Sequence, residues 1–217
     1  MIYKEVLALV IAYLLGSIPA AYITTRIARG QDIRRLGGGN IGGLNTIKSV
    51  GRIPGIIVLV VDIGKGAAAV AIARWGLGLP PLFVMLAGLL AVVGHMWMVF
   101  LKFSGGRGMG PMIGAVVSIF IMYGKWLGLG IFVVLIIIPI GITRNVPISM
   151  IVALFGLPFI AWFTIHSTNA TILAVVLGLL TGGKFFPTAM KDIKKFRNRK
   201  KLDSGAKPLD GNPKGSA

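Results

Sequence analysis

The stretch "IPGIIVLVVDIGKGAAAVAIA", Ile53 to Ala73, decides the fold. It is apolar except for Asp62 and Lys65, and it has the length of roughly 20 residues that a helix needs to cross a bilayer. Isolated charges are costly in lipid. These two stand three apart, so a helix puts them on one face where they can pair. The stretch therefore reads as a membrane span holding a structural ion pair that orients the adjoining loops. A place for the pair on a transport path stays open as an alternative.

The rest of the chain agrees. Of its 217 residues 55% are hydrophobic and 13% charged, and the mean hydropathy is +0.86, whereas a soluble domain carries about 25% charged residues. The expected fold is an all-α integral membrane protein. The apolar runs give about seven transmembrane helices, at Tyr3–Thr25, Ile53–Ala73, Pro80–Leu101, Pro111–Tyr123, Trp126–Ile142, Val146–Ile165 and Thr168–Thr181. The first is too long for a cleaved signal peptide and lacks a small-residue cleavage site. Residues 1–196 form one membrane domain and 197–217 a basic, disordered cytoplasmic tail.

The net charge of +17 invites a nucleic-acid reading, but its distribution excludes one. Ten of the 23 basic residues lie from Lys184 onward. Arg26, Arg29, Arg34, Arg35, Lys48 and Arg52 crowd the first loop, Lys102 and Arg107 the third, and Arg144 the fifth. Lys4, Arg74 and Lys125 are the cations of the other side. Positive charge accumulates in cytoplasmic loops, which places the N-terminus outside and the C-terminus in the cytoplasm, and it faces anionic phospholipid headgroups. There is no cysteine, and His95 and His166 stand far apart, so neither a metal nor any other cofactor is expected. His95 has two readings, a base near the interface or a partner for another helix.

Both glycine-rich loops fall on the cytoplasmic side. "RRLGGGNIGGLNTIKSVGR", Arg34 to Arg52, gathers Gly37, Gly38, Gly39, Gly42, Asn40, Asn45, Arg35 and Lys48. "FLKFSGGRGMGP", Phe100 to Pro111, gathers Gly105, Gly106, Arg107 and Gly108 just before an apolar helix. Successive backbone N–H groups in such loops make anion-binding concavities, and the following helix adds its N-terminal dipole. Each loop reads either as an anion cradle or as a turn at the membrane surface.

In order, "GSIP" (Gly16–Pro19), "GGGNIGGLN" (Gly37–Asn45), "DIGKG" (Asp62–Gly66), "GHMWMVFLKFSGGRG" (Gly94–Gly108) and "KDIKKF" (Lys191–Phe196) resemble one family, the bacterial acyl-phosphate-dependent glycerol-3-phosphate acyltransferases. The resemblance implies transfer of a fatty acyl group from acyl phosphate to the 1-hydroxyl of glycerol 3-phosphate. The product is lysophosphatidic acid for phospholipid synthesis. The implied place is a bacterial inner membrane, crossed several times. It implies catalytic roles for Asn40, Lys48 and Arg107. Arg35, Gly37, Gly38, Gly39, Gly42, Asn45, Gly105, Gly106, Gly108 and Asp192 would bind substrate or phosphate. Lys48 stands where the family pattern carries arginine, Gly38 where it carries serine, Arg107 where it carries lysine, and Asp192 where it carries asparagine. A non-catalytic relative that binds a lipid phosphate, or a small transporter, are the alternative readings. Oligomeric state is not legible.

Overall fold

A computed structural model describes the backbone of residues 2–203 and the side chains of residues 2–185. Among the described residues it is helical, with no strand. The helices are α1 (Ile2–Ser17), α2 (Ala20–Arg29), α3 (Gly43–Ser49), α4 (Arg52–Ala71), α5 (Pro81–Met96), α6 (Met109–Met122), α7 (Trp126–Thr143), α8 (Val146–Ile160) and α9 (Thr168–Asp203).

Six segments of the described chain are long and apolar enough to cross a membrane: Ile2–Arg29, Arg52–Gly76, Pro81–Leu101, Trp126–Thr143, Val146–Ile165 and Thr168–Phe185. The remaining expected span, Pro111–Tyr123, corresponds to α6, a shorter apolar helix of 14 residues. One interior and one end depart furthest from the sequence reading. The first span is broken at Ile18–Pro19 into α1 and α2. Proline lacks an N–H and restricts the residue before it, so the helix restarts at Ala20. Glycine then stops α2: Gly30 takes φ +65°, and its N–H bonds to the Arg26 carbonyl at 2.9 Å, a common helix ending. At the other end α9 runs to Asp203, beyond the expected Thr181 and through the boundary placed at residue 196. The side chain of Asp192 lies outside the described residues, as does the chain from residue 204.

Glycines set how closely the helices approach. A Cβ on Gly16 of α1 would overlap the Ala91 carbonyl of α5, and one on Gly94 of α5 would overlap the Tyr13 carbonyl of α1. The α4–α6 crossing repeats the device: Gly66 lies against the Pro111 carbonyl and Gly114 against the Ile63 carbonyl. Within lipid, where water gives helices no reason to associate, such backbone proximity is what lets van der Waals contact hold them together. A core of Met112, Phe120, Phe132, Met150 and Leu154 fills the space among α6, α7, α8 and their neighbours. A smaller cluster, with Ile33, Ile41, Val58, Met98 and Leu101, closes beneath the glycine-rich loops. Outward-facing Val60, Ile137 and Phe155 stay exposed, as expected for surfaces that meet acyl chains.

Candidate functional site

The first glycine-rich loop is held by one amide. Asn45, on the short helix α3, donates from Nδ2 to the carbonyls of Leu36 and Asn40, both at 3.0 Å. Its Oδ1 accepts from the N–H of Gly38 at 3.1 Å. The loop thus folds back on α3 around a buried side chain. Gly37 takes φ +55°, and a Cβ there would also collide with Asn45 Oδ1 and the Ser49 hydroxyl. Only glycine suits both demands. Asp32, ahead of the loop, accepts from the backbone N–H of Arg34 at 3.0 Å and from its guanidinium at 2.7 Å. That side-chain hydrogen bond holds the Asp32 carboxyl below the ordinary carboxylate range.

The second loop is anchored on α5. The N–H of Gly106 donates to the His95 carbonyl at 2.9 Å. A Cβ on Gly106 would strike His95 Nε2, so glycine here permits the loop to lie directly on the imidazole. Behind it sits a buried cluster from two helices. Lys65 Nζ is 2.9 Å from Asp62 Oδ1, and His95 Nδ1 is 3.5 Å from the same oxygen. Lys65 also donates to the Ile18 carbonyl at 3.2 Å, beside the break between α1 and α2. The ion pair expected from the spacing is present, and His95 is a neighbour of another helix, α4.

Between the loops opens a cleft of about 340 Å³. Gly38, Asn40, Gly42, Asn45 and Lys48 line one side, and Arg107 lies on the wall from the second loop. Asp62 and His95 form part of its wall, and Ile113, Val146, Pro147, Met150 and Phe185 supply an apolar side. Lys48 is exposed and Arg107 half-buried. The guanidinium of Arg107 lies 5.1 Å from the centroid of the Phe185 ring on α9. Two cations and an amide beside an apolar wall suit a ligand with an anionic head and a hydrocarbon tail. A second, apolar cavity of about 50 Å³ lies among Leu89, Val116, Phe120, Leu157 and Leu177.

Not every expected residue lines the cleft. Arg35 is exposed and absent from the wall. Gly37, Gly39, Gly105, Gly106 and Gly108 shape the loops without forming that wall. Asn45 touches the cleft, but its amide is occupied by the loop's own hydrogen bonds. Sequence reasoning missed Phe185, the apolar wall from α8 and the helix α3. Phe185 stands in "GGKFFP", where nothing marks one aromatic as facing a site.

The family described as glycerol-3-phosphate acyltransferase matches residues 6–193. The chain belongs to the glycerol-3-phosphate acyltransferase family. It is 44% identical over 196 residues to glycerol-3-phosphate acyltransferase 1 of Dehalococcoides mccartyi, covering 90% of this chain and 94% of that protein. With glycerol-3-phosphate acyltransferase 2 of Moorella thermoacetica it shares 44% identity over 159 residues, 71% of this chain and 76% of the relative. Its fold is similar to the crystal structure of PlsY, an integral membrane glycerol 3-phosphate acyltransferase, in the glycerol 3-phosphate form. There the TM-score is 0.71 and the identity 28%, over 88% of this chain and 92% of that one. Both glycine-rich loops and the Asp62–Lys65 pair of this glycerol-3-phosphate acyltransferase family member lie within the matched residues.

Proposed function

We propose that this chain acylates glycerol 3-phosphate in a bacterial inner membrane, taking the acyl group from an acyl phosphate. The observation that carries the reading is the cleft, which Lys48, Asn40 and Arg107 line together with the apolar side chains of Ile113, Met150 and Phe185. Such a site takes a phosphorylated head and an aliphatic chain at once. Relatives named as acyltransferases over most of their length support this reading over a non-catalytic lipid binder or a transporter. The excess of lysine and arginine in the loops and tail supports a site on the cytoplasmic side.

In the proposed reaction, Lys48 and Arg107 hold the two phosphate groups and Asn40 adds an amide donor. Arg35, outside the cleft wall, contributes to long-range attraction of the anions. The 1-hydroxyl of glycerol 3-phosphate attacks the acyl carbonyl carbon. The carbon–oxygen bond to the donor's phosphate then breaks. Phosphate leaves with the bonding pair, and the hydroxyl proton passes to a phosphate oxygen. The products are lysophosphatidic acid and inorganic phosphate. Positioning and charge stabilisation supply the rate enhancement, and the donor chain runs among the helices. Asp192 is a proposed substrate contact on α9.

The test is turnover by the full chain in phospholipid vesicles. Palmitoyl phosphate, palmitoyl-CoA and a palmitoyl carrier protein are offered separately with labelled glycerol 3-phosphate. Product is followed by mass spectrometry and released phosphate is counted. One phosphate per lysophosphatidic acid, from palmitoyl phosphate alone, is expected. Acylation from either thioester without palmitoyl phosphate turnover, or no acylation at all, overturns the reading.

A further inference from the structure

We propose that Phe185 is a positioning residue for Arg107, and that Lys184 and Phe185 together clasp the α5–α6 loop over the cleft. The activity readout of this inference rests on the acyl-transfer reading; its geometry does not. Phe185 is 1% exposed and forms part of the cleft wall. Its ring faces the Arg107 guanidinium, with 5.1 Å between Cζ and the centroid. The residue before it grips the root of the same loop. Lys184 Nζ donates to the Met96 carbonyl at 3.3 Å and lies 4.7 Å from the centroid of Trp97. Adjacent residues on a helix point in directions about 100° apart, so one turn of α9 can hold the loop at two places.

The aromatic face attracts a cation. It also narrows the rotamers open to the Arg107 side chain, and ordering these only on binding would weaken the grip. A guanidinium carries donors in a rigid planar fork. Restrained by the ring, that fork is oriented before the anion arrives. An ammonium at the same position is a point charge that the ring orients far less. Phe185 therefore acts through Arg107, and its effect depends on the identity of residue 107.

The experiment compares wild type with Phe185→Leu, Phe185→Trp, Arg107→Lys and the Arg107→Lys/Phe185→Leu double variant. All are full-length chains in vesicles. KM and kcat for glycerol 3-phosphate, calorimetric affinity for inorganic phosphate, and thermal unfolding are measured on each. Phe185→Leu should weaken phosphate binding and kcat/KM roughly three- to thirtyfold, while Phe185→Trp recovers most of both. With Lys at 107, the same Phe185→Leu change should cost less than about twofold. Phe185→Met, which fills similar space without a ring, replaces Phe185→Leu if that variant unfolds. Equal losses in both backgrounds, no loss from removing the ring, or no rescue by Trp overturns the proposal. A wild type that binds phosphate yet fails to turn over acyl phosphate overturns the acyl-transfer reading, while the affinity series still decides whether Phe185 positions Arg107.

Discussion

Lys65 Nζ lies 2.9 Å from Asp62 Oδ1, with side-chain exposures of 3% and 6%. Removing one member of such a pair leaves a charge buried without its partner, which costs about 3–5 kcal/mol. Lys65→Met should therefore lower stability by that amount. The Asp62→Asn/Lys65→Met double variant should recover much of it, because no net charge is stranded. Unfolding in mixed detergent, followed by circular dichroism, measures both. A double variant no more stable than Lys65→Met would show that the lysine acts through contacts other than the pair.

The α4–α6 crossing predicts a contrast between two glycines two residues apart. A Cβ on Gly66 meets backbone atoms of Pro111, while one on Gly64 meets nothing within 4 Å. Gly66→Ala should destabilise by about 1–3 kcal/mol or more, since backbone cannot move aside as a side-chain tip can. Gly64→Ala should be neutral, or stabilising by about 0.4–1 kcal/mol through the unfolded chain. Thermal melts of the two purified variants check the sign of the difference.

Much of this architecture was legible from residue order, and the parts that were not have specific causes. The spans announce themselves because a helix that crosses lipid needs a long apolar run, as at Ile53–Ala73. The Asp62–Lys65 pair was legible because it is local, a matter of helical spacing. The first span reads as unbroken because apolarity continues through Ile18 and Pro19 while the helix does not. His95 beside Asp62, and Phe185 beside Arg107, join residues distant in sequence, so no local pattern reports them. From sequence alone Asn45 reads as a ligand donor, because an amide in a glycine-rich loop suits either role. The structure shows it bonded to Leu36, Gly38 and Asn40.

That bracing role sets the third expectation. Asn45→Ala should reduce kcat/KM by tenfold or more while global melting changes little. Hydrogen exchange at Gly38, which loses its acceptor, should quicken. Gly38→Ser serves as the companion, because a Cβ there has open space. It should leave both melting and the exchange of neighbouring amides unchanged. An Asn45→Ala protein with native exchange at Gly38 would contradict the bracing role.

For Lys48 the expected signature is in binding. Its side chain lines the cleft from an exposed position, so a charge-assisted contact there is partly screened. Lys48→Met should raise the KM for glycerol 3-phosphate roughly threefold to tenfold, below the tenfold or greater effect usual for a desolvated contact. The increase should shrink as salt is added. A KM unaffected by the substitution at low ionic strength would remove Lys48 from the site.

Acid should loosen the first loop through Asp32. Its folded-state affinity for protons is lowered, chiefly by the hydrogen bond from Arg34. The contribution is fully present above the ordinary carboxylate value of 3.8 and is lost as pH falls through the depressed folded value. The pair is surface-placed, so the effect is small and local. Amide exchange at Arg34, corrected for intrinsic rates, should accelerate below about pH 4 in the wild type. Asp32→Asn should abolish that acid-side change, and persistence of the change in the variant would assign it to another group.

The break at Ile18–Pro19 bears on how the protein is made. The Ile18 carbonyl receives a hydrogen bond from Lys65, a residue of the next span. While the first span stands alone in the bilayer, that donor has not yet arrived. The lysine, in turn, would enter lipid without its acceptor if the spans came in the opposite order. Biogenesis from the N-terminus presents the carbonyl first and the ammonium second, so the pair closes as the second span inserts. The opening two spans are thereby expected to leave the translocon as one hairpin.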